Sequence, residues 1–298
     1  MTQRKALASI VVTAAAWLAV PGGSAQAITL SLPVLPSVSG LSLRLEADMG
    51  LTLDGGGFNI INWADQSGHG HDASGIGGYY AQVNGATLNG IAVPTFSDSY
   101  LLISGQPVTS PQFSIFTVAT ARQDSSANGF REILSNWSGA NNVTSVFLGT
   151  VGDSSLPSTT MRFTDEIGGA TDPVNNQTGV GSIGNPAAGF VLSGISGAAD
   201  ASVYLGQSTV TTTAALPVRD LSGDWLVGTQ GGSFEFWSGN IGAILVYDRA
   251  LNSAERTAVI SYLGEKYLGT APVPEPGEWL MLVAGLALLA ALQRRRAD

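Results

Sequence analysis

Residues 113–121 read Phe-Ser-Ile-Phe-Thr-Val-Ala-Thr-Ala and form the clearest strand signal in the chain. Successive side chains of a strand point to opposite faces, so Phe113 and Ile115 share one face while Phe116 and Val118 share the other. Both faces of this stretch are therefore apolar, as in a strand covered by other layers. The stretch predicts the central strand of a two-sheet sandwich.

The rest of the span 43–269 has the same character. Short apolar runs rich in β-branched and aromatic residues alternate with glycine, serine, threonine and asparagine, which predicts one all-β antiparallel domain. The predicted strands are Leu43–Ala47, Phe113–Ala121, Ser145–Leu148, Met161–Phe163, Phe190–Ser193, Ala201–Tyr204, Trp225–Val227, Phe234–Trp237 and Ile241–Tyr247.

One helix is predicted at the end of this domain. Asn252 can cap its first turn, and Glu255 three residues later completes the capping-box pattern. Gly269 can end the helix. Its buried face is predicted to carry Val259, Leu263 and Tyr267.

The first 27 residues have the parts of a secretory signal peptide. Arg4 and Lys5 precede the apolar run Ala6–Val20, and Ala25-Gln26-Ala27 is a small-residue cleavage site. We therefore expect an N-terminal signal helix in residues 1–27, recognition by the Sec translocon, and a linker in residues 28–42.

The last 29 residues, 270–298, predict a Pro-rich linker and a sorting segment. Val273-Pro274-Glu275-Pro276 precedes the apolar run Trp279–Leu292, which Arg294-Arg295-Arg296 follow. As a helix the run is about 21 Å long against a hydrocarbon core of about 30 Å, so it is short for a permanent span. The arginines resist translocation and predict a membrane stop with the domain outside the cytoplasm.

Charge and composition exclude several functions. The two ends hold five of the 13 basic and three of the 22 acidic residues, which leaves eight basic against 19 acidic residues and a net charge of −11. Such a surface repels nucleic acid. The chain has no cysteine, which excludes a thiolate nucleophile or thiolate metal site.

The tail resembles a PEP-CTERM sorting signal, because the Pro-Glu-Pro motif, the apolar run and the arginine cluster follow in that order. The resemblance implies a Gram-negative, exopolysaccharide-producing bacterium and processing by an exosortase near the motif. The precursor would be tethered in the inner membrane and the product placed at the cell surface or in the extracellular biofilm matrix.

The domain resembles laminin-G-like members of the concanavalin A-like lectin/glucanase superfamily. The resemblance rests on residues 43–57, on Trp63–Ala73 and on Gly239–Leu251 with the closing helix. It implies a jelly-roll sandwich. His69 and His71 stand where the family commonly has asparagine-like residues.

Two kinds of metal site are considered for the segment Trp63–Ala73. His69 and His71 with Asp65 and Asp72 could hold a transition metal, but the Ser-Gly-x-Gly-x-Asp pattern favours a turn in which short polar side chains bind the backbone. Some domains of the family that this one resembles bind calcium. No run of residues matches a fixed calcium-binding spacing, and the possible ligands are Asp65, Asp72, Asp153, Asp165 and Glu166.

Catalysis is not expected. Retaining glycosidases need two carboxyl groups about 5 Å apart, and the glucanases of the resembled superfamily carry them on one strand in Glu-x-Asp patterns with a further acid. Glu46 with Asp48 is the nearest approach, and no third acid follows. We therefore predict no catalytic residues.

Carbohydrate binding is the function that the sequence favours, in adhesion or matrix organisation. Aromatic rings stack on sugar rings while neighbouring polar side chains hold hydroxyl groups, although single aromatics in β domains are as often buried. The alternatives are a polysaccharide-degrading or polysaccharide-modifying enzyme and a ligand-free structural matrix protein. The candidate sugar-binding residues are Tyr79, Tyr80, Trp137, Asn141, Trp237 and Asn240.

Overall fold

The computed structural model describes residues 15–16, 28–29, 33–122, 129–137, 144–152, 158–165, 183–214 and 221–269. The chain divides into two units, Met1–Leu35 and Pro36–Asp298. The sorting motif Val273–Pro276, the apolar run Trp279–Leu292 and Arg294–Arg296 lie outside the described residues. In the described part of the chain, no helix has the length and apolar character needed to cross a membrane.

In the first unit, strands β1 (Ala15–Ala16) and β2 (Ile28–Thr29) pair antiparallel. Ala15 and Ala16 fall within the predicted signal helix and are extended instead. A short apolar segment has little intrinsic helicity unless a membrane or a packing partner supports it. The rest of the predicted signal helix lies outside the described residues.

The second unit is an antiparallel β-sandwich, as predicted, followed by a helix. Its strands are β3 (Leu41–Glu46), β4 (Leu51–Leu53), β5 (Ile60–Trp63), β6 (Ala73–Gly75), β7 (Thr87–Leu88), β8 (Ile91–Ala92), β9 (Thr95–Phe96), β10 (Leu101–Ile103), β11 (Phe113–Ala121), β12 (Gly129–Trp137), β13 (Thr144–Gly152), β14 (Ser158–Asp165), β15 (Phe190–Ser196), β16 (Asp200–Leu205), β17 (Ser208–Ala214), β18 (Asp224–Val227) and β19 (Gly239–Tyr247). Helix α1 (Ser253–Leu263) continues into a π-helical turn at Gly264–Leu268.

Two sheets make up the sandwich. The larger has eight strands in the order β14-β13-β12-β18-β10-β6-β5-β4, and the other follows the order β17-β16-β15-β11-β19-β3 with β9 added beside β19. Strands β7 and β8 form a separate hairpin.

Strand β11 is the centre of the second sheet, as the opening stretch of sequence predicts. All nine of its residues are buried, and it pairs with β15 on one side and β19 on the other. Ser114 faces the segment that leads into α1: its hydroxyl donates to the Arg249 carbonyl at 3.0 Å and accepts from the Leu251 N–H at 2.9 Å. The strand is therefore covered on both faces.

Helix α1 begins as the sequence predicts. The Asn252 side chain accepts from the Glu255 N–H while the Glu255 carboxylate accepts from the Asn252 N–H, both at 3.0 Å. Arg249 adds an ion pair to Glu255 at 2.6 Å and donates to the Ser39 carbonyl at 2.9 Å. Gly269, with φ of 64°, ends the helical segment. The stretch Gly239–Leu251 therefore helps, through Arg249, to hold the start of this helix in place.

A buried ionic cluster joins α1 to β3. The Glu46 carboxylate is 0% exposed and pairs with Arg44 Nη2 at 2.8 Å and with Lys266 Nζ at 3.1 Å. It also accepts from the Tyr262 hydroxyl. Burial, followed by the neighbouring Glu46 carboxylate, raises the pKa of Tyr262 to about 12, so this hydroxyl stays a donor at neutral pH.

One predicted strand is wrong. Residues Phe234–Trp237, predicted as a strand, follow a tight turn in which Gly231 and Gly232 have φ of 60° and 75°. The Thr229 hydroxyl donates to the Phe234 carbonyl at 2.8 Å and holds this turn closed. Other strands of the structure were not predicted at all, namely β4–β10, β12 and β17.

Candidate functional site

The loop that follows β5 is built around Asp65. One carboxylate oxygen of Asp65 accepts from the backbone N–H groups of Arg44 at 2.9 Å and Ser67 at 2.8 Å. The other accepts from the Ser67 hydroxyl at 2.6 Å and the His71 N–H at 3.1 Å. Partial burial acts to raise the pKa of Asp65, but these hydrogen bonds outweigh it and leave the pKa below its ordinary value.

These contacts are at odds with Asp65 and Asp72 as metal ligands. Four donors already surround the Asp65 carboxylate, and donors that solvate an anion leave no lone pair for a cation. Asp72 accepts from the Asp65 N–H at 2.8 Å in the same loop. Across the described part of the chain, no three histidine or acidic residues are placed to hold a metal ion. The imidazole of His71 contacts the Ser104 carbonyl at 2.7 Å and also serves the loop.

The Asp65 contacts predict a stability effect that depends on pH. Because the folded-state pKa lies below the unfolded value near 3.8, the stabilisation is complete above that value and is lost as pH falls through the folded pKa. Asp65→Asn should lower the free energy of unfolding by about 1–2 kcal/mol at pH 7. The loss is smaller than for a fully buried carboxylate, because the loop is only half-buried. Urea unfolding from pH 7 to pH 2.5 should show the difference between the two proteins shrink below pH 4. A difference that stays constant over this range would contradict the prediction.

A polar groove of about 360 Å³ lies where β11 ends and β19 begins. Strand β9 pairs there with the start of β19, Thr95 opposite Asn240 and Phe96 opposite Gly239. The loop after β6 lies beside β9, because Gln82 forms an isolated β-bridge with Thr95. The groove is lined by Gly78, Tyr79, Tyr80, Gln82, Asn84, Thr95, Ser97, Asp98, Ser99 and Arg122.

An aromatic platform stands at this groove. Tyr79 is 50% exposed, and its ring centroid lies 5.6 Å from that of Tyr100, which lies 6.4 Å from that of Phe236. The Tyr79 ring therefore packs against Tyr100 while half of the residue's surface stays exposed. Tyr80 is half-buried beside Gly75, where a Cβ would lie 2.4 Å from its ring.

The floor of the groove is a set of polar side chains. The Thr95 hydroxyl lies 2.8 Å from the Asn84 amide oxygen and 2.7 Å from that of Asn240. Because a hydroxyl has one hydrogen, the two oxygens share it. Asn240 also donates to the Thr120 hydroxyl at 2.9 Å, so its amide is committed to the protein. Asn84 is exposed and keeps its amide N–H groups for a ligand.

Two charged side chains complete the lining. Asp98 is exposed and has φ of 48°, a conformation that aspartate tolerates better than most residues. Arg122 is exposed too, and its backbone N–H donates to the Ser238 carbonyl at 2.8 Å. Among the contacts of the described residues, neither charged group takes part in an ion pair or a side-chain hydrogen bond. Both are free to meet a ligand.

The structure sorts the predicted sugar-binding residues. Tyr79 and Tyr80 lie at the groove, and Asn240 supports its floor. Trp237 is completely buried with its ring edge-on to Phe190 at 6.4 Å, so it cannot stack on a sugar. The prediction for Trp237 is therefore wrong, because long-range packing covers the ring.

Trp137, another predicted residue, does not line the groove. Trp137 is half-buried under the turn after Thr229, since a Cβ on Gly231 would lie 2.6 Å from its ring. Asn141 lies outside the described residues. Conversely, the sequence prediction missed Asn84, Asp98 and Arg122, whose only signal is polarity in loops.

A second cavity of about 520 Å³ lies between the C-terminal end of α1 and strands β15 and β16. Its walls include Val191, Leu205, Ile260 and Leu268, and Glu265 is the one charged residue in its described lining. Such walls offer few partners to a hydroxylated ligand. The polar groove is therefore the better candidate for a polar ligand.

No protein-family model and no curated protein sequence matches the chain significantly. Solved structures are similar to it in fold. A GH54 α-L-arabinofuranosidase is 15% identical with a TM-score of 0.53, over 70% of this chain and 51% of that one. The binding domain of botulinum neurotoxin DC, in complex with SialylT, is 12% identical with a TM-score of 0.51, over 75% and 51%. The chain thus spans about half the length of each.

A third similar structure is domain 4 of a GH43 extracellular arabinanase from Geobacillus stearothermophilus, in complex with arabinotriose. It is 12% identical with a TM-score of 0.49, and the match covers 74% of this chain and 98% of that domain. At these identities the first two likenesses establish the class of fold, an antiparallel β-sandwich.

Proposed function

We propose that this protein binds carbohydrate, without cleaving it, at the groove around Tyr79. The observation that carries the proposal is an exposed aromatic ring beside the amide N–H groups of Asn84 and the carboxylate of Asp98, which have no side-chain partner among the described residues. The apolar C–H face of a sugar can stack on Tyr79. The amide of Asn84 and the carboxylate of Asp98 can then hold the sugar hydroxyls, as a few placed polar groups do in small-molecule sites.

Support also comes from proteins that share the fold. One is an arabinofuranosidase and another is a toxin binding domain in complex with SialylT. These likenesses establish the class of fold alone, and the proposed function rests on the groove.

A binding role fits the groove better than catalysis. Glycoside hydrolysis uses a pair of carboxyl groups on either side of the bond. Among the described lining residues of the groove, Asp98 is the one carboxylate. Glu46, the acid nearest to a glucanase pattern in the sequence, is 0% exposed and pairs with Arg44 and Lys266.

The proposal includes where the protein works. Export through the signal peptide, sorting by an exosortase at Val273–Pro276 and a stop at Arg294–Arg296 would place the groove at the cell surface or in the matrix. Intact-mass measurement of the protein isolated from its own cells tests this. Termini near Ile28 and near the Pro-Glu-Pro motif are expected, and a mature chain that still ends at Asp298 would rule out processing of the tail.

A glycan array tests the binding function. The purified full chain, in a detergent that contains no sugar, should bind a defined subset of polysaccharides and release no reducing sugar. Release of reducing sugar would establish the enzyme instead, and absence of binding to any glycan would favour a ligand-free matrix protein. Repeating the array with a chelator and with added calcium tests whether binding needs the cation.

Tyr79→Ala should weaken binding of the best glycan about tenfold, because one stacking contact is worth about 1–1.5 kcal/mol. Tyr79→Phe is the matched control: it keeps the ring and should keep the affinity within about twofold. Titration calorimetry measures both. Equal losses in the two variants would show that the hydroxyl, and not the ring face, makes the contact.

A further inference from the structure

We infer that the groove selects an acidic saccharide, whose carboxylate binds Arg122. This inference rests on the proposed carbohydrate-binding function and adds the class of ligand. It depends on the charge inventory of the domain, on the position of Arg122 and on the presence of Asp98 in the same groove.

The other basic side chains that the structure describes already contact protein groups. Three of these basic residues form ion pairs: Arg44 with Glu46, Lys266 with Glu46 and Asp48, and Arg249 with Glu255. Arg256 lies over the Tyr204 ring at 3.9 Å, and the buried Arg131 also has a protein partner.

Arg122 is the exception among the basic residues whose side chains the structure describes. The chain carries 13 basic against 22 acidic residues, so an arginine has many carboxylates to pair with. Among the described residues, Arg122 nevertheless has no carboxylate partner, and it lines the polar groove. An unpaired cation in an acidic protein is available to an external anion.

The backbone of Arg122 is held at the edge of the groove. It directly follows β11, and its N–H bond to the Ser238 carbonyl at 2.8 Å ties the backbone to the segment before β19. A guanidinium group presents parallel N–H donors that match the two oxygens of a carboxylate. A sugar stacked on Tyr79 can then place a ring carboxylate at Arg122 and its hydroxyls at Asn84.

The negative charges of the protein restrict how much negative charge a bound ligand can carry. Asp98 lines the same groove, and the whole chain carries a net charge of −9. Both disfavour sulfated or phosphorylated sugars that carry several negative charges on one sugar unit. A uronic acid unit has one negative charge and several neutral hydroxyls, which suits one arginine and one aspartate.

Titration calorimetry on the full chain in sugar-free detergent tests the inference with three probes: a trigalacturonate, a neutral galactotriose of the same linkage, and a galactotriose sulfated at several hydroxyls of each unit. The trigalacturonate should bind roughly ten- to a hundredfold more tightly than the neutral sugar, the range of a charge-assisted hydrogen bond. Its affinity should fall as salt is raised, while that of the neutral sugar should not.

Variants assign this preference to Arg122. Arg122→Gln should remove the ten- to hundredfold preference for trigalacturonate over the neutral sugar, and Arg122→Lys should restore part of that preference. Arg256→Gln removes the same charge outside the groove and should leave all three affinities unchanged. Arg122 is exposed, so thermal unfolding should be the same for wild type and Arg122→Gln.

The failures of the two proposals are distinguishable. Equal binding of acidic and neutral probes, or tighter binding of the sulfated one, overturns the acidic-saccharide inference and leaves carbohydrate binding standing. A preference for trigalacturonate that Arg122→Gln does not reduce also overturns it. No binding of any probe, together with a silent glycan array, overturns both.

Discussion

Replacement of Glu46 by alanine is expected to lower the free energy of unfolding by about 3–5 kcal/mol, the usual cost of removing one member of a buried ion pair. The Glu46 carboxylate is 0% exposed and balances Arg44 and Lys266, whose nitrogens lie 2.8 and 3.1 Å away. Without it, Arg44 has no carboxylate partner among the described residues and Lys266 keeps Asp48. Tyr262 would also lose the acceptor of its hydroxyl.

Urea unfolding followed by tryptophan fluorescence measures this effect. Glu265→Gln is the matched control, because Glu265 lies beside Lys266 and its carboxylate has no bonded partner among the described residues. It should change the stability by less than about 0.5 kcal/mol. A loss below 1 kcal/mol in Glu46→Ala would mean that the cluster contributes little, and that the packing of α1 on the sheet holds the helix in place.

The parts of the fold that sequence predicts best are those with a local cause. Strand β11 has a continuous apolar pattern, and the bounds predicted for it match the structure. The capping box at Asn252 and Glu255 forms within a single turn, so its pattern in the sequence is sufficient. Both predictions depend on neighbours along the chain and need no knowledge of distant contacts.

Strand β12 shows why other elements were missed. It carries the buried polar residues Ser135 and Asn136, which do not read as a strand core. Their partners come from distant segments: the Ser135 hydroxyl donates to the Thr229 carbonyl at 2.6 Å, and the Asn136 side chain accepts from the Val146 N–H at 2.6 Å. A buried polar group is tolerated because it is hydrogen-bonded, and the partner is visible only in the fold.

The groove was only partly predictable for the same reason. Its lining comes from three separate segments, 78–84, 95–99 and Arg122. Tyr79 could be proposed because an aromatic pair in a polar loop is a recognisable signal. Asp98 and Arg122 resemble ordinary surface charges in the sequence. Their significance follows from their common position in the groove and from the lack of an ion-pair partner for either among the described residues.

Gly239→Ala should lower both the stability of the fold and the affinity of the groove for glycan. Gly239 has φ of 152°, and a Cβ there would lie 1.9 Å from the Thr120 carbonyl oxygen of β11. Overpacking against backbone, together with an unfavourable backbone conformation, should cost about 3 kcal/mol. Gly239 also pairs with Phe96 of β9, so moving it should displace Thr95 and Asn240 and weaken glycan binding as well.

Gly149→Ala separates these two consequences. A Cβ at Gly149 would lie 1.9 Å from the Arg131 carbonyl oxygen, which is an equal clash, but it falls in β13 of the other sheet. Both variants should lose stability in urea unfolding, while only Gly239→Ala should lose affinity in calorimetry under conditions where both remain folded. Equal affinity losses would mean that general destabilisation explains them. Unchanged affinity in Gly239→Ala would mean that the start of β19 does not position the groove, and that the loop after β6 holds its shape alone.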